Sequence, residues 1–248
     1  MNSLAIDIGN TSISLCLFKD DKLFASKKIL QSEFNFKKLN ALKKKFFNKN
    51  VNKIIISSVV PKCDFIFKEF LAANSLNFYF LKKIRKKIKL KINLKKKDEI
   101  GDDRIANIIL AKERFNKSVI IVDFGTATTL DVLNSHGVYH GGVITPGIEV
   151  SLNTLKNKTA KLPLVKFSRT KKVIGFNTKQ AIQAGFFWGY CSMIEGLIKK
   201  IIKEENNDFQ IILTGGNSSY FHNVFENVIL IDEFFTSKAL NYILNKYT

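Results

Sequence analysis

Asp7-Ile8-Gly9-Asn10-Thr11 returns, altered, as Asp123-Phe124-Gly125-Thr126-Ala127-Thr128 in the second half of the chain. Each copy follows an apolar run, Leu4-Ala5-Ile6 and Val119-Ile120-Ile121-Val122, and each leads into a second alternating run. An apolar strand, Asp-x-Gly, then another strand reads as a β-hairpin with an exposed acidic tip. The Gly lets the turn take φ > 0 and lets a ligand approach the backbone. The small hydroxyl and amide residues, with the turn N–H groups, offer donors to phosphate oxygens. The Asp can hold a cation that neutralises those oxygens. One such tip is an ordinary hairpin turn. Two of them, at matching places in similar halves, predict a duplicated domain gripping a nucleotide between its halves.

Working outward, the first half reads as strands near 3–8, 12–18 and 22–28, a basic helix near 34–48, a strand at 53–58 and a helix near 62–74. Strands near 77–81 and 88–94 precede a helix that starts after Gly101. The second half repeats the order, with strands near 118–123, 127–133 and 138–145 and a helix near 147–157. A long helix from about 177 to 203, a strand at 209–214, Gly215-Gly216 with a helix after it, a strand at 228–231 and a C-terminal helix complete it. The pattern predicts an α/β fold of two halves, 1–116 and 117–248, each a mixed sheet flanked by helices.

The chain has 248 residues, 46% hydrophobic and 25% charged, which is enough to bury a sizeable core. No apolar run approaches the ~18 residues that span a bilayer. Asp7 interrupts any signal-peptide core, so a cytoplasmic protein with no membrane partner is expected. Cys16, Cys63 and Cys191 are widely spaced and read as buried thiols in a reducing compartment. His136 and His140 flank a turn at Gly137 rather than a metal site. The net charge of +19 is densest in LKKIRKKIKLKINLKKK from Leu81 to Lys97. There Ile88, Leu90, Ile92 and Leu94 alternate with Lys87, Lys89, Lys91 and Asn93, which describes a half-buried strand with a solvated basic face. No recognised nucleic-acid module accompanies the charge, so a nucleic-acid partner is not expected.

Four further segments can carry chemistry. Gly101-Asp102-Asp103-Arg104 opens a helix. An Asp there is first a cap, yet two acids and an Arg exceed what a cap needs. A carboxylate can take a proton from a substrate hydroxyl while Arg104 holds a polar substrate. On this segment alone both readings stand. Thr214-Gly215-Gly216-Asn217 after a strand suits an adenosine contact or a plain strand-to-helix turn. Gly141-Gly142-Val143-Ile144-Thr145-Pro146-Gly147 either walls a small-molecule pocket or turns the chain. In Gly175-Phe176-Asn177-Thr178, Asn177 or Thr178 is a natural N-cap that can also meet a ligand.

The two tips with the Gly-Gly turn resemble the actin, hexokinase and Hsp70 superfamily of ATP-binding folds, which implies ribonuclease-H-like halves. Within it, DIGNT, SSVVP at 57–61, GDDR at 101–104, DFGTATTLD at 123–131, GGVITPG at 141–147 and IGFNT at 174–178 occur in the order and spacing of type III pantothenate kinases. The resemblance covers essentially the whole chain. It implies ATP-dependent phosphorylation of pantothenate to 4′-phosphopantothenate, the first step towards coenzyme A. Asp7, Ile8, Gly9, Asn10, Thr11, Ser12, Ile13 and Ser14 match the family's first phosphate loop, and Thr126 matches an ATP contact. Asp103 matches the general base. Gly101, Asp102, Arg104 and Thr178 match pantothenate contacts. Asp123 matches the ligand of a monovalent cation, potassium or ammonium, and ATP is expected with Mg2+. A homodimer is implied as well.

One position departs. Where the family carries a substrate-contacting Tyr, this chain has Leu94. Leu94 can line the pocket but cannot donate the phenolic hydrogen bond. The rival readings are a transcriptional accessory protein of the same family without kinase activity, and a sugar or acetate kinase of the superfamily.

Overall fold

The computed structural model describes residues 2–96 and 99–248. The chain forms two compact units, Met1–Arg114 with Phe234–Thr248, and Phe115–Glu233.

In the first unit β1 (Asn2–Ile8), β2 (Ser12–Lys19) and β3 (Lys22–Leu30) form an antiparallel meander. Helix α1 (Phe36–Phe46) leads to β4 (Lys53–Ser58), then α2 (Pro61–Ala73) and β5 (Phe78–Phe80). Strand β4 pairs in parallel with β1, and β5 with β4, giving the order β3-β2-β1-β4-β5. The helix starts are written locally. Asn35 caps α1 by accepting from the Lys38 N–H at 2.9 Å, and Pro61 opens α2, where its missing N–H costs nothing. Leu4, Ile6 and Ile8 of β1, with Ile54 and Ile56 of β4, meet Leu39 and Phe46 of α1 and Phe67, Phe70 and Leu71 of α2 in one core. Asp7 and Ser57 therefore project from the other face of the sheet.

The predicted strand at 88–94 is largely absent. After the short helix α3 (Leu81–Ile84), Arg85–Lys87 makes a 3₁₀ turn, and only Lys91–Ile92 (β6) is strand. The Leu90 N–H donates to Ile88 O at 3.0 Å, a tight local turn that takes the backbone out of any ladder. The alternation read from the sequence is nevertheless kept in burial, with Ile88, Leu90, Ile92 and Leu94 half-buried between exposed neighbours. Periodicity reported the faces correctly but not the pairing. Lys97, the end of the basic stretch, lies outside the described residues. Helix α4 (Asp102–Arg114) completes this part of the unit.

The second unit repeats the plan. Strands β7 (Val119–Phe124), β8 (Ala127–Leu133) and β9 (Val138–Pro146) form the antiparallel meander. Helices α5 (Ile148–Asn157) and α6 (Thr178–Glu205) follow. Strand β10 (Gln210–Thr214) pairs in parallel with β7, and β11 (Val228–Ile231) with β10. The order β9-β8-β7-β10-β11 matches that of the first sheet strand for strand. Ile120, Val122 and Phe124 of β7 pack with Ile211 and Leu213 of β10 against Phe187, Cys191, Ile194 and Ile198 of α6. The helix expected after Gly215-Gly216 is a 3₁₀ segment, Ser218–Phe221, held by Phe221 stacking on Phe124 at 4.3 Å.

The last helix, α7 (Phe235–Tyr247), belongs to the first unit, where it packs on α4, β1 and β4. The Asn241 and Asn245 amides both donate to Asp21 Oδ1, at 2.7 and 2.8 Å, and Asn241 also bonds the Ser3 hydroxyl. The expected halves divided at 116 and 117. The compact units divide at Arg114 and Phe115, with Phe234–Thr248 returning to the first. All three cysteines are free and buried. Among the described residues no helix is long and apolar enough to cross a membrane.

Candidate active site

Strand β1 delivers Asp7 to the first tip. The Gly9 N–H donates to Ser12 O at 3.0 Å and closes the turn, which leaves Asn10 and Thr11 exposed. Ser12 and Ser14 are half-buried. Ile8 and Ile13 sit in the core, so only their backbone groups are available to a ligand. Burial and, next, the negative charge of Asp103 push the Asp7 carboxyl up to about 7; Asp102 adds to the rise and the Ser57 hydroxyl opposes it. Ser57 lies on β4 in register with Asp7. Asp7, Asp102 and Asp103 thus form one acidic cluster.

The two adjacent acids are divided in role. Asp102 is 7% exposed, and Arg85 Nη1 donates to its Oδ1 and to Ile100 O, each at 3.1 Å. Burial raises the Asp102 carboxyl and the Arg85 guanidinium pulls it back. This ion pair fixes the first turn of α4. Asp103 is half-buried, and its Oδ1 accepts from the Arg104 N–H at 2.8 Å, a bond that orients the carboxylate. A Cβ on Gly101 would lie 2.5 Å from Asp103 Oδ1, so glycine there preserves the space the carboxylate uses. Leu94 is half-buried, shortly before Lys97 and Asp98, which lie outside the described residues.

In the second unit Asp123 is half-buried near the end of β7, while Gly125 and Thr126 are exposed at the tip. The turn closes through the Gly125 N–H to Ala127 O at 3.1 Å, one residue tighter than the first tip. Gly147 donates its N–H to Thr126 O at 3.1 Å. A Cβ at Gly147 would lie 2.3 Å from Thr126 O and 2.4 Å from Gly125 O. The Gly141–Gly147 segment therefore supports the second tip from below. Gly215 has φ +86°, and a Cβ there would lie 2.4 Å from Asp123 Oδ1. Gly147→Ala should cost ~1–3 kcal/mol, because two carbonyls must move, and should raise the ATP KM with them. Denaturant unfolding and ATP titration check this; an unchanged KM would detach Gly147 from the tip.

Thr178 begins α6, and the N-cap is Asn177, whose side chain accepts from the Gln180 N–H at 2.9 Å. A Cβ on Gly175 would lie 2.3 Å from Ala181 N, so this glycine seats the loop on the helix start. Thr178 lines an apolar cavity of about 870 Å³ with Leu155, Phe176, Phe186, Tyr190 and Met193.

Sequence reasoning passed over three residues of these clusters. Arg85 lies in the basic stretch from Leu81 to Lys97, where the sequence alone gives it no role of its own. Ser57 and Thr214 lay inside quoted motifs without a role, and only the parallel registers show them beside Asp7 and Asp123.

Two sheets that share one five-strand order, each ending its first strand in an Asp-x-Gly tip, define an actin-like fold. Solved structures share it. A Campylobacter jejuni protein assigned to the Baf family of transcriptional activators aligns with TM-score 0.63 at 20% identity, covering 98% of both chains. The ethanolamine utilization protein EutJ from Carboxydothermus hydrogenoformans aligns with TM-score 0.56 at 12% identity, covering 100% of this chain and 90% of its own. At the sequence level the type III pantothenate kinase family model matches residues 3–200. The type III pantothenate kinase of Pelagibacter ubique (strain HTCC1062) is 41% identical over 243 residues, 94% of this chain and 95% of the relative. That of Sulfurihydrogenibium sp. (strain YO3AOP1) is 38% identical over 259 residues, 98% and 99% of the two chains. The chain belongs to the type III pantothenate kinase family.

Proposed function

We propose that this protein transfers the γ-phosphoryl group of ATP to the primary hydroxyl of pantothenate, forming 4′-phosphopantothenate by direct in-line displacement. The observation that carries the reading is the division of labour at the start of α4. Asp102 is committed to Arg85, whereas Asp103 is oriented by a backbone N–H and given room by Gly101. A carboxylate so held can accept the proton of a substrate hydroxyl as it attacks phosphorus. Arg104, next in the helix, is suited to hold the substrate's carboxylate. In the first unit the tip offers backbone N–H groups and the Asn10 and Thr11 side chains to phosphate oxygens; in the second unit the exposed Thr126 hydroxyl offers the same chemistry. Positioning and charge stabilisation account for the catalysis, and no covalent intermediate is needed.

The residues fit the cations the family implies. Asp7, Asp102 and Asp103 gather three carboxylates, of which Asp102 pairs with Arg85, and burial followed by the charge of Asp103 raises Asp7 to about 7. Mg2+ bound with ATP would supply positive charge beside these carboxylates and would neutralise the phosphoryl oxygens. At the second tip Asp123 is the acidic group suited to potassium or ammonium. Asp7 and Asp123 orient these charges, and Asp103 handles the proton.

Phe176, 76% accessible, lines the apolar cavity with Thr178, and the exposed Val173 and Ile174 precede it in the same loop. Burying that rim against a second copy is the reading we adopt for the homodimer. Purified protein given ATP, Mg2+ and K+ should release ADP only when pantothenate is added. ADP release indifferent to pantothenate, together with salt-sensitive DNA binding, would instead favour a regulatory protein.

A further inference from the structure

In both units the strand beside the tip carries a buried hydroxyl in register with the tip Asp. Ser57 on β4 pairs with Asp7, and Thr214 on β10 pairs with Asp123. The two strands hold corresponding places in sheets of the same order, so Ser57 and Thr214 are equivalent positions of the duplication. Paired residues on parallel neighbours project from one face. Val122, Phe124 and Leu213 occupy the opposite face, in the core with α6. Asp123 and Thr214 therefore stand side by side.

Thr214 is 0% exposed, and its hydroxyl has no hydrogen-bond partner among the described residues. An orphaned buried hydroxyl is costly, and a native protein keeps one where something else completes it. The next residue keeps the space open. Gly215 adopts φ +86°, and any Cβ there would fall 2.4 Å from Asp123 Oδ1. One carboxylate with a neutral hydroxyl matches a single positive charge, and a large monovalent ion needs several oxygens in place of its hydration shell.

We propose that Thr214 is an oxygen ligand, alongside Asp123, of the monovalent cation at the second tip. This rests on the reading of Asp123 as the cation seat.

The test uses the full chain as wild type, Thr214→Val and Thr214→Ser. Thermal unfolding is followed in KCl against NaCl at constant ionic strength, and ADP formation is titrated with K+. The wild-type midpoint rises specifically with K+. In Thr214→Val that rise is lost and half-saturating K+ increases at least ~10-fold, the usual scale for weakening a metal site. Thr214→Ser retains both responses. Without K+, Thr214→Val unfolds no earlier than wild type, because its hydroxyl had no protein partner to lose. Equal K+ responses in wild type and Thr214→Val overturn the proposal, as does a Val variant already destabilised without K+. A wild type blind to K+ in both readouts overturns the reading of Asp123 as well, so the two failures are distinguishable.

Discussion

Asp103→Asn lowers kcat by ~10²–10⁴-fold, the range for removing a general base. The substitution is nearly isosteric. Its amide oxygen can still accept from the Arg104 N–H that Asp103 Oδ1 now takes at 2.8 Å, so the start of α4 keeps its geometry. The Arg85–Asp102 pair, which anchors that turn, is untouched. Stability should stay within about 1 kcal/mol of wild type, and ATP binding should persist. A second consequence follows from charge. Asp103 is the strongest electrostatic contributor to the raised Asp7 carboxyl, after burial. Neutralising it moves the Asp7 titration down. Steady-state kinetics with a thermal melt check the first effect. Near-normal turnover in a folded variant would place the base elsewhere.

Asp7→Asn moves activity and stability in opposite directions. In the unfolded chain Asp7 titrates near the ordinary carboxylate value of 3.8, and in the folded chain burial and Asp103 push it up to about 7. The folded state therefore binds the extra proton between those values, and stability falls as pH rises through that window. Below it there is no penalty. At pH 8 the full shift would correspond to at most about 4 kcal/mol. Solvent access at the half-buried tip reduces this to roughly 1–3 kcal/mol. The Asn variant carries no such penalty, so it should be more stable than wild type at pH 8 and level with it at pH 4. On the proposed function it also loses a charge that would face the ATP phosphates and their cation, and kcat/KM should fall on the order of 10²-fold. Denaturation at the two pH values, with kinetics at pH 8, tests the pair. A variant destabilised at pH 8 would show that Asp7 is not held against an electrostatic cost.

Local chemistry explains what was legible beforehand. Both tips lie in hairpins, where strand, turn and strand are contiguous, so Asp7 and Asp123 could be placed from sequence. The capping role of Asn177 and the start of α2 at Pro61 are local for the same reason. Parallel pairing is not local. The register of Ser57 against Asp7 depends on a crossover through α1, and that of Thr214 against Asp123 on one through α5 and α6. No short window carries that information, which is why both hydroxyls went without a role. Arg85 was hidden differently. In a stretch crowded with lysine its charge looked interchangeable, but its guanidinium reaches two acceptors at once, Asp102 Oδ1 and Ile100 O. Apart from Lys91–Ile92, residues 88–94 kept the burial pattern of a strand without its hydrogen bonds, because periodicity reports faces and not partners. The C-terminal helix joins the first unit through Asn241, Asn245 and Asp21, a contact across nearly the whole sequence. The identity of the second substrate came from an ordered set of motifs rather than from any one of them.

The central claim is the proposal that Asp103 takes the proton of the pantothenate hydroxyl as that hydroxyl is phosphorylated. Its most direct test is identification by mass of the product formed from pantothenate, ATP, Mg2+ and K+, with wild type and Asp103→Asn side by side. The account predicts 4′-phosphopantothenate from the wild type, in step with ADP, and almost none from the variant. An unchanged pantothenate mass with the wild type, or equal product from both proteins, would contradict it.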